Sequence, residues 1–336
     1  MTTVPVQNLT NLETRARQLS AMMPGLLVNA RKIATTLIHG THGRKRAGPG
    51  ETFWQFRPYG NLEPAHRIDW RRSASSDQLF VRENEWDTAH TFWIWIDLNP
   101  SMWFQSREAK MTKAERACLL GLALAEVLVR SGERVGVLGT KRPSMARDIV
   151  EQIAERLLFG MKNGAFETGL PPSQRVRRFS EVILISDFLG DEAELIQQIQ
   201  QFGGRQVSGA LMHIIDPVEE SFPFAGRVEF EDMQQAERIV IENAQESRVA
   251  YQAAFSGRKA KLEAVCQPLN WGYLQHHTDR TARQGLLHLY GFLSSHTYGA
   301  ASAAELDQAT KNSVDDRSFK KAFQSTLKLA NVRGRL

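Results

Sequence analysis

The most constraining feature of this sequence is an alternation of short apolar runs with helical segments, which begins near residue 91. Four apolar runs cover residues 92–96, 134–139, 182–186 and 209–215. Runs of this length, apolar at successive positions, are typical of parallel strands that are buried on both faces. Helical patterns lie between them, at about residues 110–130, 146–159 and 191–202. The alternation predicts an α/β fold with a doubly wound, mostly parallel sheet.

Three of the predicted strands end in an aspartate: Asp97, Asp187 and Asp216. Because the carboxyl ends of parallel strands share one edge, we expect Asp97 and Asp187 to face one crevice. Asp216, which a proline follows, is better explained as a helix cap or turn residue. Asn99 and Ser101 follow Asp97 at alternate positions, and three such oxygen ligands suit a hard divalent cation. The alternative is that Asp97 and Ser101 merely cap the next loop and helix, and residue types leave both readings open.

The amino-terminal part of the chain is strongly basic. The whole chain has a net charge of +5, and residues 14–50 contain seven Lys or Arg and no acid. Residues 11–39 have helical periodicity, and Pro24-Gly25 predicts a break into two helices. A glycine-rich basic loop follows at residues 40–50. Such a patch can attract nucleic acid, anionic lipid or an acidic protein surface, or can simply be a solvated face.

The remaining segments complete the predicted organisation. Aromatic strand-like pieces at residues 52–56, 68–70 and 79–82 indicate a small β element. The polar segment 227–242 predicts an exposed hairpin, and a helix at 244–266 and a strand at 271–275 follow. Beyond residue 293 the chain is polar, with one helix expected near residues 316–330. The predicted divisions are a helical arm with the basic loop (1–49), a small β element (50–89), the α/β domain (90–290) and a polar carboxyl-terminal extension (291–336).

Composition favours a protein of a reducing compartment. The two cysteines, Cys118 and Cys266, lack the spacing of a disulfide framework or a metal site. Residues 1–10 lack a signal-peptide pattern. The longest apolar stretch, residues 118–129, is shorter than the roughly 20 residues that a membrane span needs. We therefore expect a soluble, cytoplasmic protein, for which peripheral membrane association remains open.

Two segments upstream of the sheet resemble the signature of a bacterial family catalogued as domain of unknown function fifty-eight. The resemblance covers roughly residues 30–290. The residues that carry the signature are Arg57, Tyr59, Arg67, Asp69, Trp70 and Arg71. Arginines beside a tryptophan can contact phosphate or a partner, or can lock a β element in place through ion pairs with Asp69. The structural role is favoured because Asp69 lies within the cluster of arginines and can pair with them locally.

The loop after the first strand resembles the first metal loop of von Willebrand factor A-like domains, whose usual form is Asp-x-Ser-x-Ser. The resemblance implies a von Willebrand A-like sheet with a site for Mg²⁺ or Mn²⁺, in which a partner protein supplies a further carboxylate. Carried onto this sequence, the candidate ligands are Asp97, Asn99, Ser101 and Asp187, with Thr168 as a weaker candidate. Asn99 stands where serine is usual, which predicts a weak or degenerate site.

The family resemblance also implies a function. It indicates a non-enzymatic adaptor or co-chaperone that works with a MoxR-type AAA+ ATPase in the maturation of an unidentified client protein. One rival is a metal-dependent phosphohydrolase with Asp97 as nucleophile, which is disfavoured because Asn99 cannot act as the general acid. The other is a nucleic-acid-binding protein that uses the basic arm, and no aromatic-interleaved or helix-turn-helix pattern supports it.

Overall fold

The described chain forms two compact units, and each is presented by itself. A computed structural model describes the backbone of residues 6–38, 47–60, 68–74, 76, 78–85, 89–140, 142–231 and 238–298. Side chains are described for residues 13–37, 56–60, 68–74, 76, 78–81, 89–140, 142–230 and 238–296. The larger unit joins residues 6–38 to residues 91–298, and the smaller one lies within residues 47–90.

Strands and helices alternate along the larger unit, and the elements between residues 47 and 90 belong to the smaller one. The described helices are α1 (Val6–Ile38), α2 (Trp70–Ser73), α3 (Lys113–Arg130), α4 (Ile149–Lys162), α5 (Glu192–Gly203), α6 (Pro217–Ser221), α7 (Ala244–Cys266) and α8 (Ala282–Tyr298). The described strands are β1 (Ala47–Pro58), β2 (Phe80–Glu85), β3 (Thr91–Ile96), β4 (Arg134–Val137), β5 (Glu181–Ser186), β6 (Ser208–Ile215), β7 (Val228–Glu231), β8 (Arg238–Ile241) and β9 (Gly272–His277). The predicted strands and helices between residues 92 and 215 are confirmed, with ends shifted by three residues or fewer.

Five strands form one parallel sheet in the order β4, β3, β5, β6, β9. The chain moves outward from β3 to β4 and then returns across β3 to β5. The direction of winding therefore reverses between β3 and β5, and such a reversal opens a crevice at the carboxyl ends of the two strands. The predicted α/β fold with a doubly wound, parallel sheet is confirmed, and this topology is consistent with a von Willebrand A-like domain.

Helices cover both faces of this sheet. Ile94 and Ile96 of β3 join a buried apolar cluster that includes α1, α3, α4 and α8. Trp93 and Trp95, which alternate with them, join a second cluster that includes α5 and α7. Burial on both faces explains why the strand residues are apolar at successive positions.

Helix α1 is continuous from Val6 to Ile38, so the prediction of two helices separated at Pro24-Gly25 was wrong. Pro24 lies on the exposed face, where water can satisfy the backbone carbonyl that loses its hydrogen-bond donor. The opposite face is buried without interruption across the proline, by Leu19, Met23 and Leu26. Because this face joins the same apolar cluster as α3 and α4, α1 is part of the larger unit and not a separate arm.

The smaller unit is an antiparallel pair of strands with a short helix. Strands β1 and β2 pair through an irregular register, and α2 lies between them in the chain. Residues 68–70 were expected to form a strand, but only Ile68 makes a bridge, to Val81, and a helix begins at Trp70. The helix begins there because Asp69 caps it.

The end of the described chain contains one predicted and one unexpected element. Strands β7 and β8 pair antiparallel, which confirms the hairpin predicted at residues 227–242. Helix α8 was not predicted, although its Leu286 and Leu289 are fully buried against the sheet. The helix expected near residues 316–330 lies outside the described residues.

Helix α3 is buried around nearly its whole circumference, as its composition predicts. It approaches β3 closely at Gly121, where an added Cβ would lie 2.4 Å from Cδ1 of Ile96. A side chain at this position would require Ile96 to move, so Gly121 allows the close approach of α3 to the sheet. Among the helices of the described residues, α3 included, none has both the length and the hydropathy to cross a bilayer.

Replacing Gly121 with alanine should lower the free energy of unfolding by about 1–3 kcal/mol, because the methyl group overpacks the contact between α3 and β3. The control is Gly25→Ala on the exposed face of α1, where an added Cβ meets no atom within 4 Å. Gly25→Ala should instead raise the free energy of unfolding by about 0.5–1 kcal/mol. Urea denaturation measures both variants, and a shift of the same sign in the two would contradict the close approach at Gly121.

Candidate functional site at the reversal of the sheet

Two aspartates lie at the carboxyl edge of the sheet where the winding reverses. Asp97 directly follows β3 and Asp187 directly follows β5. The backbone N–H of Asp97 donates to the carbonyl of Ile185 at 2.9 Å. Both side chains are buried, with 0% and 1% of their surface exposed. The structure therefore brings together the two carboxylates that the strand pattern placed at one crevice.

The loop that follows β3 is organised around the carboxylate of Asp97. Its Oδ1 accepts a hydrogen bond from the backbone N–H of Asn99 at 2.9 Å. Its Oδ2 accepts from Nδ2 of Asn99 at 2.9 Å and from Oγ of Ser186 at 2.6 Å. Asn99 in turn caps the 3₁₀ turn Pro100–Trp103, with its Oδ1 accepting from the backbone N–H of Met102 at 3.2 Å. Both oxygens of Asp97 are thus used within the chain.

Ser101 connects this loop to the second aspartate. Its Oγ lies 2.6 Å from Oδ1 of Asn99 and 2.5 Å from Oδ2 of Asp187. A hydroxyl has one proton, and the charged acceptor Asp187 is the stronger partner for it. The oxygens of Asn99, Ser101 and Asp187 therefore converge at one point of the crevice.

Lys113, which the sequence analysis did not identify, places a cation at this point. Its side chain is fully buried, and its Nζ donates to Oδ2 of Asp187 at 2.8 Å and also to Oε1 of Glu219. Lys113 is the first residue of α3, which is capped by a reciprocal pair of bonds between Thr112 and Glu115. A cation at the positive end of a helix dipole is unfavourable without anionic partners. A lysine at the start of an apolar helix was therefore a signal for a buried ion pair.

Glu219, the second partner of Lys113, was also missed by sequence reasoning. It lies in α6, which Asp216 caps by accepting from the backbone N–H of Val218 at 3.1 Å. The cap predicted for Asp216 is therefore confirmed. The Oε2 of Glu219 accepts from the backbone N–H of Asp216 at 2.9 Å, so Glu219 completes the cap while its other oxygen faces Lys113.

Burial and charge set the ionisation of the cluster. Burial, together with the nearby charge of Asp187, raises the pKa of Asp97 to about 7. Burial acts on Asp187 in the same direction, but the Lys113 ammonium and the Ser101 hydroxyl hold the pKa of Asp187 below its ordinary value. The two carboxylates raise the pKa of Lys113 although its burial favours the neutral amine. The ion pair of Lys113 with Asp187 is therefore charged at neutral pH.

Thr168, the weaker candidate ligand, lies on a segment that packs beside the loop of Asn99, and its role as a metal ligand stays a prediction. Its side chain is exposed, and its Oγ1 accepts from the backbone N–H of Leu170 at 3.4 Å. The neighbouring Gly169 does reach the site, since a Cβ added there would lie 2.7 Å from Nδ2 of Asn99. Gly169 also has a φ of 63°, which favours glycine. The segment therefore packs against the loop of Asn99 through its backbone.

The signature residues lie in the smaller unit. Asp69 is the cap of α2, with its Oδ1 accepting from the backbone N–H of Arg72 at 2.9 Å. The guanidinium of Arg72 lies 5.8 Å and 5.6 Å from the ring centroids of Phe56 and Phe80. Trp70 is exposed. This cap is a structural role for Asp69, and its ion pairs with the neighbouring arginines stay a prediction.

The other signature residues are held by the backbone or lie on the surface. The Nη1 of Arg57 donates to the carbonyl of Pro58 at 3.2 Å. The backbone N–H of Tyr59 donates to the carbonyl of Leu79 at 2.8 Å. Arg71 is exposed, and Arg67 lies outside the described residues. The role of these residues in binding a partner stays a prediction.

The contacts of the candidate ligands do not fit a divalent cation. Mg²⁺ needs about six oxygens at roughly 2.1 Å, whereas the Asn99 amide and both Asp97 oxygens already pair within the chain. The Lys113 ammonium lies 2.8 Å from Oδ2 of Asp187, where an ion bound to that oxygen would meet a like charge. Within the described ranges, no group of three or more His, Cys, Asp or Glu side chains is placed to hold a metal. Mg²⁺ or Mn²⁺ at this site stays a prediction that these contacts oppose.

Lys113→Met should lower the free energy of unfolding by about 3–5 kcal/mol, because it leaves the buried Asp187 without its cation. The control is Lys110→Met, at an exposed lysine three residues earlier. This substitution should change the free energy of unfolding by less than about 0.5 kcal/mol. Guanidinium denaturation at neutral pH compares the two. A loss below about 1 kcal/mol in Lys113→Met would contradict the central role of the ion pair.

Acid should destabilise the protein through His213, which lies in β6 with its ring centroid 5.6 Å from that of Phe188. Burial lowers the pKa of His213 from 6.5 to about 3, so below pH 6.5 the unfolded chain binds a proton that the folded protein does not. The free energy of unfolding should therefore fall between pH 6.5 and 3, by up to about 1.4 kcal/mol per pH unit.

Denaturation at several pH values should show that the free energy of unfolding depends less steeply on pH in His213→Gln than in wild type. The difference should correspond to one proton fewer taken up on unfolding. His276, whose pKa burial also lowers to about 3, keeps a similar dependence in that variant. The same slope in wild type and His213→Gln would mean that His213 is already protonated in the folded protein.

The chain is similar to a solved structure and to a protein family. No curated protein matches this chain. A solved structure, the crystal structure of the conserved hypothetical protein BatB from Bacteroides thetaiotaomicron, matches with 15% identity and a TM-score of 0.31. The match covers 60% of this chain and 99% of BatB. A family model, described as protein of unknown function DUF58, matches residues 55–261, which is more than half of the chain. The chain therefore belongs to the DUF58 family.

Proposed function

We propose that this protein is a non-enzymatic adaptor or co-chaperone that binds a partner protein at the carboxyl edge of its larger sheet. The leading partner is a MoxR-type AAA+ ATPase, and the adaptor would present an unidentified client to it for maturation. The ATPase is proposed from the family resemblance of the sequence. The binding edge is proposed from the geometry around Asp187.

The observation that carries the proposal is an exposed leucine on a tightly held loop. Leu189 follows Asp187 by two residues and has 41% of its surface exposed. Its backbone N–H donates to Oδ1 of Asp187 at 3.2 Å. On the other side, Nε of Arg258 donates to the carbonyl of Phe188 at 2.6 Å, and its Nη2 donates to the carbonyl of Gly190 at 2.5 Å. A rigid loop that presents a large apolar side chain binds with little loss of conformational entropy.

The arrangement supports a binding role over phosphohydrolase chemistry. A nucleophilic aspartate needs an accessible oxygen, whereas Asp97 is fully buried and both its oxygens accept hydrogen bonds. The general acid of such an enzyme would occupy the position of Asn99. The Asn99 side-chain amide does not release a proton at neutral pH, so it cannot act as a general acid. Its Nδ2 also donates a hydrogen bond to Asp97. The phosphohydrolase therefore remains the weaker alternative.

The nucleic-acid alternative rests on the basic residues of the amino-terminal part. Some of that charge is paired within the fold, since the guanidinium of Arg31 contacts the carboxylate of Glu151 and Arg17 lies 3.8 Å from Glu13. Residues 44–46, the basic run of the predicted loop, lie outside the described residues. Low-salt mobility-shift titration with duplex DNA and RNA distinguishes this alternative, because phosphate binding weakens steeply with salt.

Leu189→Asp should weaken binding to a purified MoxR-type AAA+ ATPase from the same organism by at least about tenfold, since it places a charge in the centre of the proposed contact. Biolayer interferometry with the full-length protein measures the affinity. The matched control is Phe159→Asp, at an exposed aromatic residue on α4. Phe159→Asp should leave the affinity within about twofold of wild type.

Two outcomes would contradict the proposal. One is that wild type does not bind the ATPase at micromolar concentration, which removes the proposed partner. The other is that Leu189→Asp and Phe159→Asp bind equally well, which removes the carboxyl edge as the binding surface.

A further inference from the structure

A turn at the amino edge of the larger sheet presents an aromatic ring to solvent. Residues 177–180 form this turn directly before β5, and the backbone N–H of Ser180 donates to the carbonyl of Arg177 at 3.3 Å. Phe179 lies within the turn and has 72% of its surface exposed. Asp187 and the carboxyl edge lie at the other end of β5, so this surface is separate from the candidate site.

The backbone of Phe179 has a conformation that L-amino acids rarely adopt. Its φ is 62°, in the left-handed region that favours glycine. Its backbone N–H donates to the carbonyl of Gln206 at 3.0 Å, and Gln206 itself has a φ of 59°. Packing does not compensate for this strain at Phe179, because most of the residue is exposed. A strained backbone that displays an apolar side chain indicates a binding function for that side chain.

Four arginines lie close to Phe179, either in the chain or across its hydrogen bond to Gln206. Three precede Phe179 in the chain and are exposed, and the fourth, Arg205, is half-buried and precedes Gln206. Residues 168–180 and 195–215 contain no Asp or Glu. In the part of the chain that the structure describes, no carboxylate forms an ion pair with any of the four guanidiniums. We name this surface the amino-edge patch, and its members are Arg175, Arg177, Arg178, Phe179 and Arg205.

We propose that the amino-edge patch binds the surface of a membrane that contains anionic phospholipids. Its guanidiniums bind lipid phosphates, for which the planar fork of arginine N–H donors is suited. The ring of Phe179 enters the boundary between headgroups and acyl chains, where the apolar side chains of peripheral proteins lie. One planar surface thus accommodates both the positive charges and the exposed ring. The patch lies at the edge opposite Leu189, so this inference does not depend on the proposed partner contact.

A single exposed ring among arginines favours lipid over nucleic acid as the partner. Proteins that bind single-stranded nucleic acid without sequence preference stack successive bases on several aromatic side chains. Residues 170–180 and 203–207 contain one aromatic residue, Phe179. Lipid binding requires no second ring, because its strength comes from buried apolar area and from electrostatic attraction to the headgroups.

Co-sedimentation of the full-length protein with vesicles tests the proposal. One set of vesicles contains phosphatidylglycerol and phosphatidylcholine in equal amounts, and the other contains phosphatidylcholine alone. Wild type should bind the anionic vesicles at least about 30-fold more tightly, since each cation near an anionic surface strengthens binding by about fivefold. The difference should shrink as salt rises from about 0.1 M to about 1 M, because charges at the protein surface are screened.

Arg177→Gln combined with Arg178→Gln should weaken binding to the anionic vesicles about 30-fold, at about fivefold for each charge. The matched control is Arg107→Gln combined with Arg156→Gln, at two exposed arginines outside the patch. The control removes the same total charge and should change the affinity by less than about twofold. Equal losses in the two double variants would show that net charge, and not the patch, attracts the vesicles, which overturns the proposal.

Phe179→Gly separates membrane binding from folding. Loss of the ring should weaken binding to the anionic vesicles about tenfold. The melting temperature should equal that of wild type or rise by up to about 3 °C, because glycine adopts a φ of 62° without strain. The control is Phe159→Ser, at an exposed aromatic residue of α4, which should bind vesicles like wild type. A Phe179→Gly protein that binds like wild type and melts at a lower temperature would assign the ring to the fold and overturn the proposal.

Two further results would also overturn it. One is that wild type fails to sediment with the anionic vesicles, or binds both lipid compositions equally. The other comes from fluorescence anisotropy with a labelled single-stranded oligonucleotide. Tight binding that is lost in the Arg177→Gln, Arg178→Gln variant, without vesicle binding, would assign the patch to nucleic acid. Leu189→Asp, at the carboxyl edge, should bind vesicles like wild type, so this proposal and the proposed partner contact can fail independently.

Discussion

The buried ion pair between Lys113 and Asp187 is the interaction on which the carboxyl edge of the sheet depends. It joins the first residue of α3 to the residue that follows β5, so two elements of the core share one charged contact. Burying either charge alone costs several kcal/mol, whereas the pair is tolerated when its remaining hydrogen bonds are satisfied. Ser101 and the backbone of Leu189 supply such bonds to Asp187. The loops on both sides of the crevice are therefore held by one carboxylate.

The packing of α3 against β3, at a point away from the ion pair, makes this pair possible. Gly121 lets α3 approach β3, and this approach carries Lys113 over the carboxyl ends of the strands. The reversal of winding between β3 and β5 places Asp97 and Asp187 side by side without further adjustment. A parallel sheet thus provides the anions and the helix provides the cation. The result is a polar cluster that is mostly internal and joins the loops after β3 and β5 to the start of α3.

Much of this arrangement was predictable from the sequence, because it depends on local patterns. The strands β3, β5 and β6 are apolar runs that end in aspartate, and the direction of parallel strands places Asp97 and Asp187 at one edge. The cap at Asp216 was predictable from the proline that follows it. Lys113 and Glu219 were not identified, because they lie 74 and 106 residues from their partners and their pairing has no local pattern. The continuous helix α1 was missed for a related reason, since its packed face outweighs the local effect of Pro24.

By itself the sequence determined the order of strands and helices, the doubly wound sheet and the pair of aspartates at its carboxyl edge. Hydrophobic periodicity and turn residues act within a few positions of the chain, and they suffice for those features. Only the tertiary structure decided which positive charge faces Asp187. A loop of the type Asp-x-Asn-x-Ser is compatible with a metal ion or with a lysine. The choice belongs to the packing of α3 and α6 on the sheet, because a buried carboxylate pairs with whichever cation the fold brings within reach.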